Sequence, residues 1–218
     1  MKKTLSILST GLAACLLFSG CSVNVVSSVS GEDPGEAVEQ TYDVDAAVSR
    51  ISADEEIGSL VIEKGSEFKV VCTYPEKYMP TVKSEGDQLI ISQADLENAN
   101  VTNSGSWGTY ITVPETSAMT NIELEMSLGS ITLSDISSDE ISVQNDLGNI
   151  DMTGCSFSIA DIETDAGDIK GENLEIGSGE VSADLGDIEL NGNIGDVRVH
   201  SDLGAVSVNG QAINEDDD

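Results

Sequence analysis

From about residue 120 onward the apolar positions recur in blocks. With Gly129, Gly148, Gly167, Gly186 and Gly204 as origins, the spacings are 19, 19, 19 and 18 residues, and the flanking positions repeat with the glycines. Two residues after each glycine stand Ile131, Ile150, Ile169, Ile188 and Val206. Five before it stand Leu124, Val143, Ile162, Val181 and Val199, and one before it Leu128, Leu147, Ala166, Leu185 and Leu203. Sites seven, five and one before the glycine share the parity of one strand face, whereas the next apolar sites fall two and four after it, so the chain bends at the glycine. A second corner is expected six residues further on, at Asp135, Gly154, Asn173, Gly192 and Gly210. Beyond it Ile136, Cys155 and Leu174, then Phe157 and Ile176, open a third face.

A unit this short, with no helical period, cannot bury its own apolar face. Stacking identical units in parallel, about 4.8 Å apart, buries it and forms aliphatic columns inside. The expected fold is therefore all-β, a parallel β-helix or β-solenoid with rungs of about 19 residues. Residues 41–120 are looser. There Ile51, Leu60, Ile62, Val70, Leu89, Ile91, Ile111 and Val113 alternate with polar residues. They are read as irregular N-terminal rungs of one continuous solenoid, with a β-sandwich as the other reading of that stretch.

The first twenty residues have a different pattern. Lys2 and Lys3 precede an apolar run from Leu5 to Phe18 that is too short to span a bilayer and ends in Ser19-Gly20-Cys21. This reads as a bacterial lipoprotein signal, with the Cys21 thiol as the site of lipidation. Leu12-Ala13-Ala14-Cys15 is the competing site, but cleavage there leaves a cramped apolar core and a strongly apolar mature end. An ordinary secretory signal is the remaining reading. The expected organisation is a signal peptide over residues 1–20, a lipid-anchored flexible linker over 21–40, the irregular β part over 41–120, the regular repeats over 121–210 and an acidic tail over 211–218. As a coil the linker spans about 20 to 25 Å.

Charge narrows the partners. The chain carries 40 acidic and 9 basic side chains, a net charge of −31, and removal of residues 1–20 makes it −33 because Lys2 and Lys3 leave without an acid. Such a surface repels nucleic acid and anionic headgroups. Besides Cys15 and Cys21 the chain has only Cys72 and Cys155, which make no disulfide framework for an exported protein.

Candidate chemistry is sparse. His200 is the only histidine, on a strand where alternation turns it outward beside Arg198, and no triad or zinc ligand set is present. Gly177-Ser178-Gly179 opens onto a strand and is no phosphate loop. One ordered acidic arrangement stands out: Asp165 and Asp184 two residues before their glycines, and Asp168 and Asp187 one after. Like charges 4.8 Å apart repel by about 0.9 kcal/mol even in water, so something must offset the stacking. The offset is either hydrogen bonding of each Asp to the backbone N–H groups of its own corner or a bound Ca²⁺. Tyr74, Tyr78, Trp107 and Tyr110 concentrate in the N-terminal part and are read either as a lid on the solenoid end or as a ligand contact for a glycan or peptide.

The run Tyr110-Ile111-Thr112-Val113-Pro114, followed by units such as Leu185-Gly186-Asp187-Ile188, resembles the bacterial "putative adhesin" family, domain of unknown function 4097, over about residues 41 to 210. The resemblance implies an envelope-associated, often anchored β-repeat protein engaged in surface contact or envelope sensing, and it carries over no catalytic residue. The function expected is thus a non-catalytic surface-interaction module on a membrane-anchored, outward-facing lipoprotein, meeting a glycan, a peptide or an envelope protein and needing no cofactor. The alternatives are a partner in envelope-stress sensing and a polysaccharide-acting β-helix enzyme. The enzyme is the weakest of these, because an acidic polymer needs a basic cleft and the mature chain offers only Arg50, Lys64, Lys69, Lys77, Lys83, Lys170 and Arg198.

Overall fold

The computed structural model describes residues 35–45, 47–94 and 107–213. The signal peptide, Cys15, Cys21, residues 21–34 of the expected linker and residues 214–218 of the expected tail lie outside the described residues; residues 37–40 of that linker belong instead to a strand, Ala37–Asp43, paired with Lys69–Pro75, and residues 211–212 of that tail to a strand, Gln211–Ala212. Along the chain come β1 (Ala37–Asp43), β2 (Arg50–Gly65), β3 (Lys69–Pro75), a 3-10 turn (Glu76–Tyr78), β4 (Thr81–Glu85), β5 (Gln88–Ser92) and β6 (Gly108–Pro114). Then follow β7 (Met119–Ser134), β8 (Ser137–Leu147), β9 (Ile150–Thr153), β10 (Ser156–Ala166), β11 (Ile169–Leu185), β12 (Ile188–Leu203), β13 (Val206–Val208) and β14 (Gln211–Ala212). The described residues are all-β apart from that one turn, and none of their helices is long and apolar enough to cross a membrane.

From β7 to β13 the chain winds into a solenoid-like stack of parallel passes, and β14 then turns back antiparallel to β13. On one side Leu124 faces Val143, Val143 faces Ile162, Ile162 faces Val181 and Val181 faces Val199. On the next side Ile131, Ile150, Ile169, Ile188 and Val206 form a second continuous column. All of these except Val199 and Val206 are buried.

The corners explain the repeated glycines more sharply than backbone angle does. A Cβ on Gly148 would lie 1.8 Å from the carbonyl oxygen of Gly129, and one on Gly167 would lie 2.0 Å from that of Gly148. Each rung therefore rests its glycine on the glycine below. At the second corner Asp135, Gly154 and Asn173 have φ of 57, 67 and 55°, the left-handed region that Gly, Asn and Asp reach most readily.

The N-terminal part departs from the expected run of successive rungs. Its strands are ordered β1-β3-β6-β2-β7, so β2 lies between β6 and β7. β2 is parallel to both neighbours, with Gly58 facing Gly129 and Leu60 facing both Ile131 and Thr109. β3 is antiparallel to β6, β1 to β3, and β4 to β5. Chain direction reverses here because the segment closes the end of the stack instead of extending it. One buried cluster nonetheless runs from Val48 to Leu190 through both parts.

Candidate interaction surfaces

Position within the repeat decides what each polar side chain does. Three residues before the glycine the side chain points inward. There Asn145 Nδ2 donates to the Gly129 carbonyl at 3.1 Å, Thr164 Oγ1 to that of Gly148 at 3.2 Å and Ser201 Oγ to that of Gly186 at 2.8 Å. These part-buried bonds tie each rung to the glycine of the one before it, and Ala183 interrupts the column.

One residue after the glycine a second ladder runs along the axis. Asn149 Oδ1 accepts from the Asp168 N–H at 3.0 Å, Asp168 Oδ1 from that of Asp187 at 3.0 Å, and Asp187 Oδ1 from that of Ala205 at 2.8 Å. The carboxylates are thus offset by backbone donors of the next rung, where the sequence pointed to donors of their own corner. Lys170 Nζ adds an ion pair to Asp168 at 3.5 Å. The calcium candidates Asp165, Asp168, Asp184 and Asp187 do not assemble. Asp168 and Asp187 each give an oxygen to the ladder, Asp165 and Asp184 stand exposed on the preceding strand, and among the described residues no group of three or more such side chains could hold a metal ion.

The leucines one before the glycine overturn their expected inward setting. Leu147, Leu185 and Leu203 are 52, 51 and 70% exposed, while Leu128 and Ala166 are half-buried. They still form one column, Leu128 beside Leu147, Leu147 beside Ala166, Ala166 beside Leu185 and Leu185 beside Leu203. The bend towards the glycine begins one residue early and turns these side chains out.

The aromatic group divides. Tyr74, Tyr78 and Trp107 are buried, with ring centroids of Tyr74 and Tyr78 at 6.5 and 5.6 Å from that of Trp107, and only Tyr110 is exposed. As a four-residue ligand contact the set is not presented to solvent, because three of its members pack into the end of the core.

Beside Tyr74 lies a group that sequence reasoning missed. Glu55 is buried and accepts hydrogen bonds from the Tyr74 hydroxyl at 2.9 Å and from the Thr109 hydroxyl. Burial pushes its carboxyl up to about 7; the two hydroxyls oppose the shift and Asp54 adds to it. Burial likewise lifts the Cys72 thiol to about 11, against the Thr109 hydrogen bond and with Glu55 adding to the rise. Glu55 stands three residues before Gly58, the inward polar position of the repeat, and that spacing was the signal available for finding it.

Elsewhere, His200 is half-buried with Nδ1 3.5 Å from Glu180 Oε1, Cys155 is buried, and a shallow groove crosses the third face, lined among others by Ser137, Ser156, Ser158, Gly177 and Gly195.

A family model described as Toastrack DUF4097 matches residues 48–216. Among solved structures the chain is similar to a "putative adhesin" from Bacteroides fragilis, with 15% identity, 82% of this chain and 100% of that chain covered, and a TM-score of 0.47. It is similar also to a "putative cell adhesion protein" from Clostridium sporogenes, with 16% identity, 79% and 99% covered, and a TM-score of 0.45. A third, a "putative lipid binding protein" from Parabacteroides distasonis, has 12% identity, 81% and 96% covered, and a TM-score of 0.32. No curated protein matches the chain.

Proposed function

Since the chain belongs to the Toastrack family DUF4097 over residues 48–216, we propose that it is a non-catalytic surface-interaction module of the bacterial envelope, held on the outer side of the membrane by a lipid on Cys21. The observation that carries the reading is how the repeat uses its functional groups. Asn145, Thr164 and Ser201 inside, and Asn149, Asp168 and Asp187 at the corner, are bonded to the backbone of neighbouring rungs. These side chains hold the stack together, and the face left for a partner is its outside, with exposed aliphatic and acidic columns in fixed register.

Two measurements test the two halves of this reading. Intact mass of protein extracted from membranes is expected to show loss of residues 1–20 and a diacylglyceryl thioether on Cys21, and Cys21→Ala is expected to release the protein; an unmodified Cys21 sinks the anchor. Binding of the purified chain to isolated envelopes is expected to saturate. Binding that rises linearly without saturation, or none, overturns the interaction role.

A further inference from the structure

We propose that the outward leucine column of the first corner is a docking strip for a basic amphipathic α-helix. The inference rests on the surface-interaction reading above and names its partner. Leu147, Leu185 and Leu203, each more than half exposed, stand in line with Leu128 and Ala166. Exposed aliphatic side chains set singly need no explanation, but a column repeated at every rung is a continuous apolar stripe.

The stripe has acids on both sides. Asp146, Asp165, Asp184 and Asp202 precede the leucines or alanine by one residue and are exposed, and none of them has an ion-pair partner among the described residues. On the other side run Asp168 and Asp187, each with one oxygen engaged in the corner ladder. The nearby cations are committed: Lys170 lies against Asp168, and Arg198 against Glu180. An apolar centre with a rim of one charge selects a partner with the opposite rim. A second copy of this chain brings the same acids and is repelled, as is an anionic bilayer.

Geometry favours a helix. Four rung steps separate Leu128 from Leu203, about 19 Å at strand spacing, which a helix covers with about 13 residues. Its pitch of about 5.4 Å runs close to the rung spacing of about 4.8 Å, so side chains at i, i+4, i+7 and i+11 meet successive rungs. Ala166, between Leu147 and Leu185, leaves a notch for one bulky apolar side chain. Lysines or arginines on the helix flanks then reach the two acidic columns.

The test uses the full chain in neutral phosphatidylcholine nanodiscs, with empty nanodiscs subtracted. The probe is a synthetic helix of about 14 residues made of leucine and lysine in this pattern, compared with a scrambled peptide of the same composition. The patterned helix is expected to bind at least about tenfold more tightly than the scrambled one. Leu147→Ser, Leu185→Ser and Leu203→Ser combined should weaken it by about tenfold or more with unchanged thermal unfolding, and Asp146→Asn, Asp165→Asn and Asp184→Asn combined should flatten its salt dependence. Equal binding of the two peptides, or of wild type and the leucine variant, overturns the strip; so does a dimer of the chain that the leucine variant dissolves, which would assign the stripe to a second copy. Envelope binding that survives in the leucine variant, together with failure of the patterned helix to bind wild type, removes the strip and leaves the interaction role standing. Helix binding without envelope binding does the reverse.

Discussion

The pass made by β2 and the passes from β7 onward are built on one unit, yet they meet their polar needs in different ways. In β2, Ile51, Ala53, Glu55, Ile57, Gly58, Leu60 and Ile62 occupy the positions that Ile141, Val143, Asn145, Leu147, Gly148, Ile150 and Met152 occupy later. In the regular part the inward polar residue bonds to the glycine carbonyl of an identical neighbour, so a neutral amide or hydroxyl suffices. In β2 the inward residue is Glu55, whose partners Tyr74 and Thr109 come from strands with no counterpart in the repeat. Gln93 shows the same bespoke solution, its Oε1 accepting from the N–H groups of Glu56 and Ile57 and its Nε2 donating to the Tyr78 carbonyl, as a missing strand would. Repetition supplies its own partners, whereas a stack that ends must find them case by case.

The largest expected effect tests the glycine-on-glycine contact. Gly167→Ala places a Cβ 2.0 Å from a backbone oxygen, and should cost more than about 4 kcal/mol or prevent folding. Gly86→Ala, at φ +65° with nothing within 4 Å, should cost about 1 kcal/mol. Equal urea midpoints for the two would mean that close stacking does not dictate the glycines. Next comes the interior column: Ile169→Ala should cost about 2 to 5 kcal/mol, and exposed Glu189→Ala under about 0.5 kcal/mol. Matching melting temperatures would break the register.

Glu55 is where the N-terminal part should behave unlike the rest. Its carboxyl ionises near pH 7 in the folded chain against 4.5 as its ordinary value, so between those pH values the folded state holds a proton that the unfolded state has released. Stability should therefore fall as pH rises from about 4.5 to about 7 and level off above, by about 3 kcal/mol from this group. Glu55→Gln keeps the shape and should abolish that part of the slope in urea titrations at pH 5 and pH 8; an unchanged slope would locate it elsewhere. Asp187→Ala removes the acceptor for the Ala205 N–H and should cost about 1 kcal/mol. At the same corner calcium should stabilise no more than sodium of equal ionic strength. A saturable calcium site lost in Asp184→Asn would reverse that reading of the ladder.

What could be read in advance follows the same division. The columns through Ile150, Ile169 and Ile188 were legible because identical neighbours put identical demands on each position. The outward leucines were not, since Leu147 and Leu185 have the parity of Val143 and Val181, and only the bend itself turns them out. Gly58 was missed as a rung origin because its spatial neighbour Gly129 lies across β3 to β6 in sequence. Burial of Tyr74, Tyr78 and Trp107 depends on strands reversing direction around them, which periodicity does not encode.

The placement of β2 has a mechanical consequence. Tension applied from the N-terminal side first loads β1, which among the described residues is an edge strand held along one side, by β3. Peeling β1 away brings the load to β2, which is paired with β7 from Arg50 to Glu63 and with β5 and β6 along its other edge. Withdrawing β2 means shearing both edges together, so β1 is the sacrificial element and β2 the lock. Under such a pull the chain would lengthen by one strand and then resist.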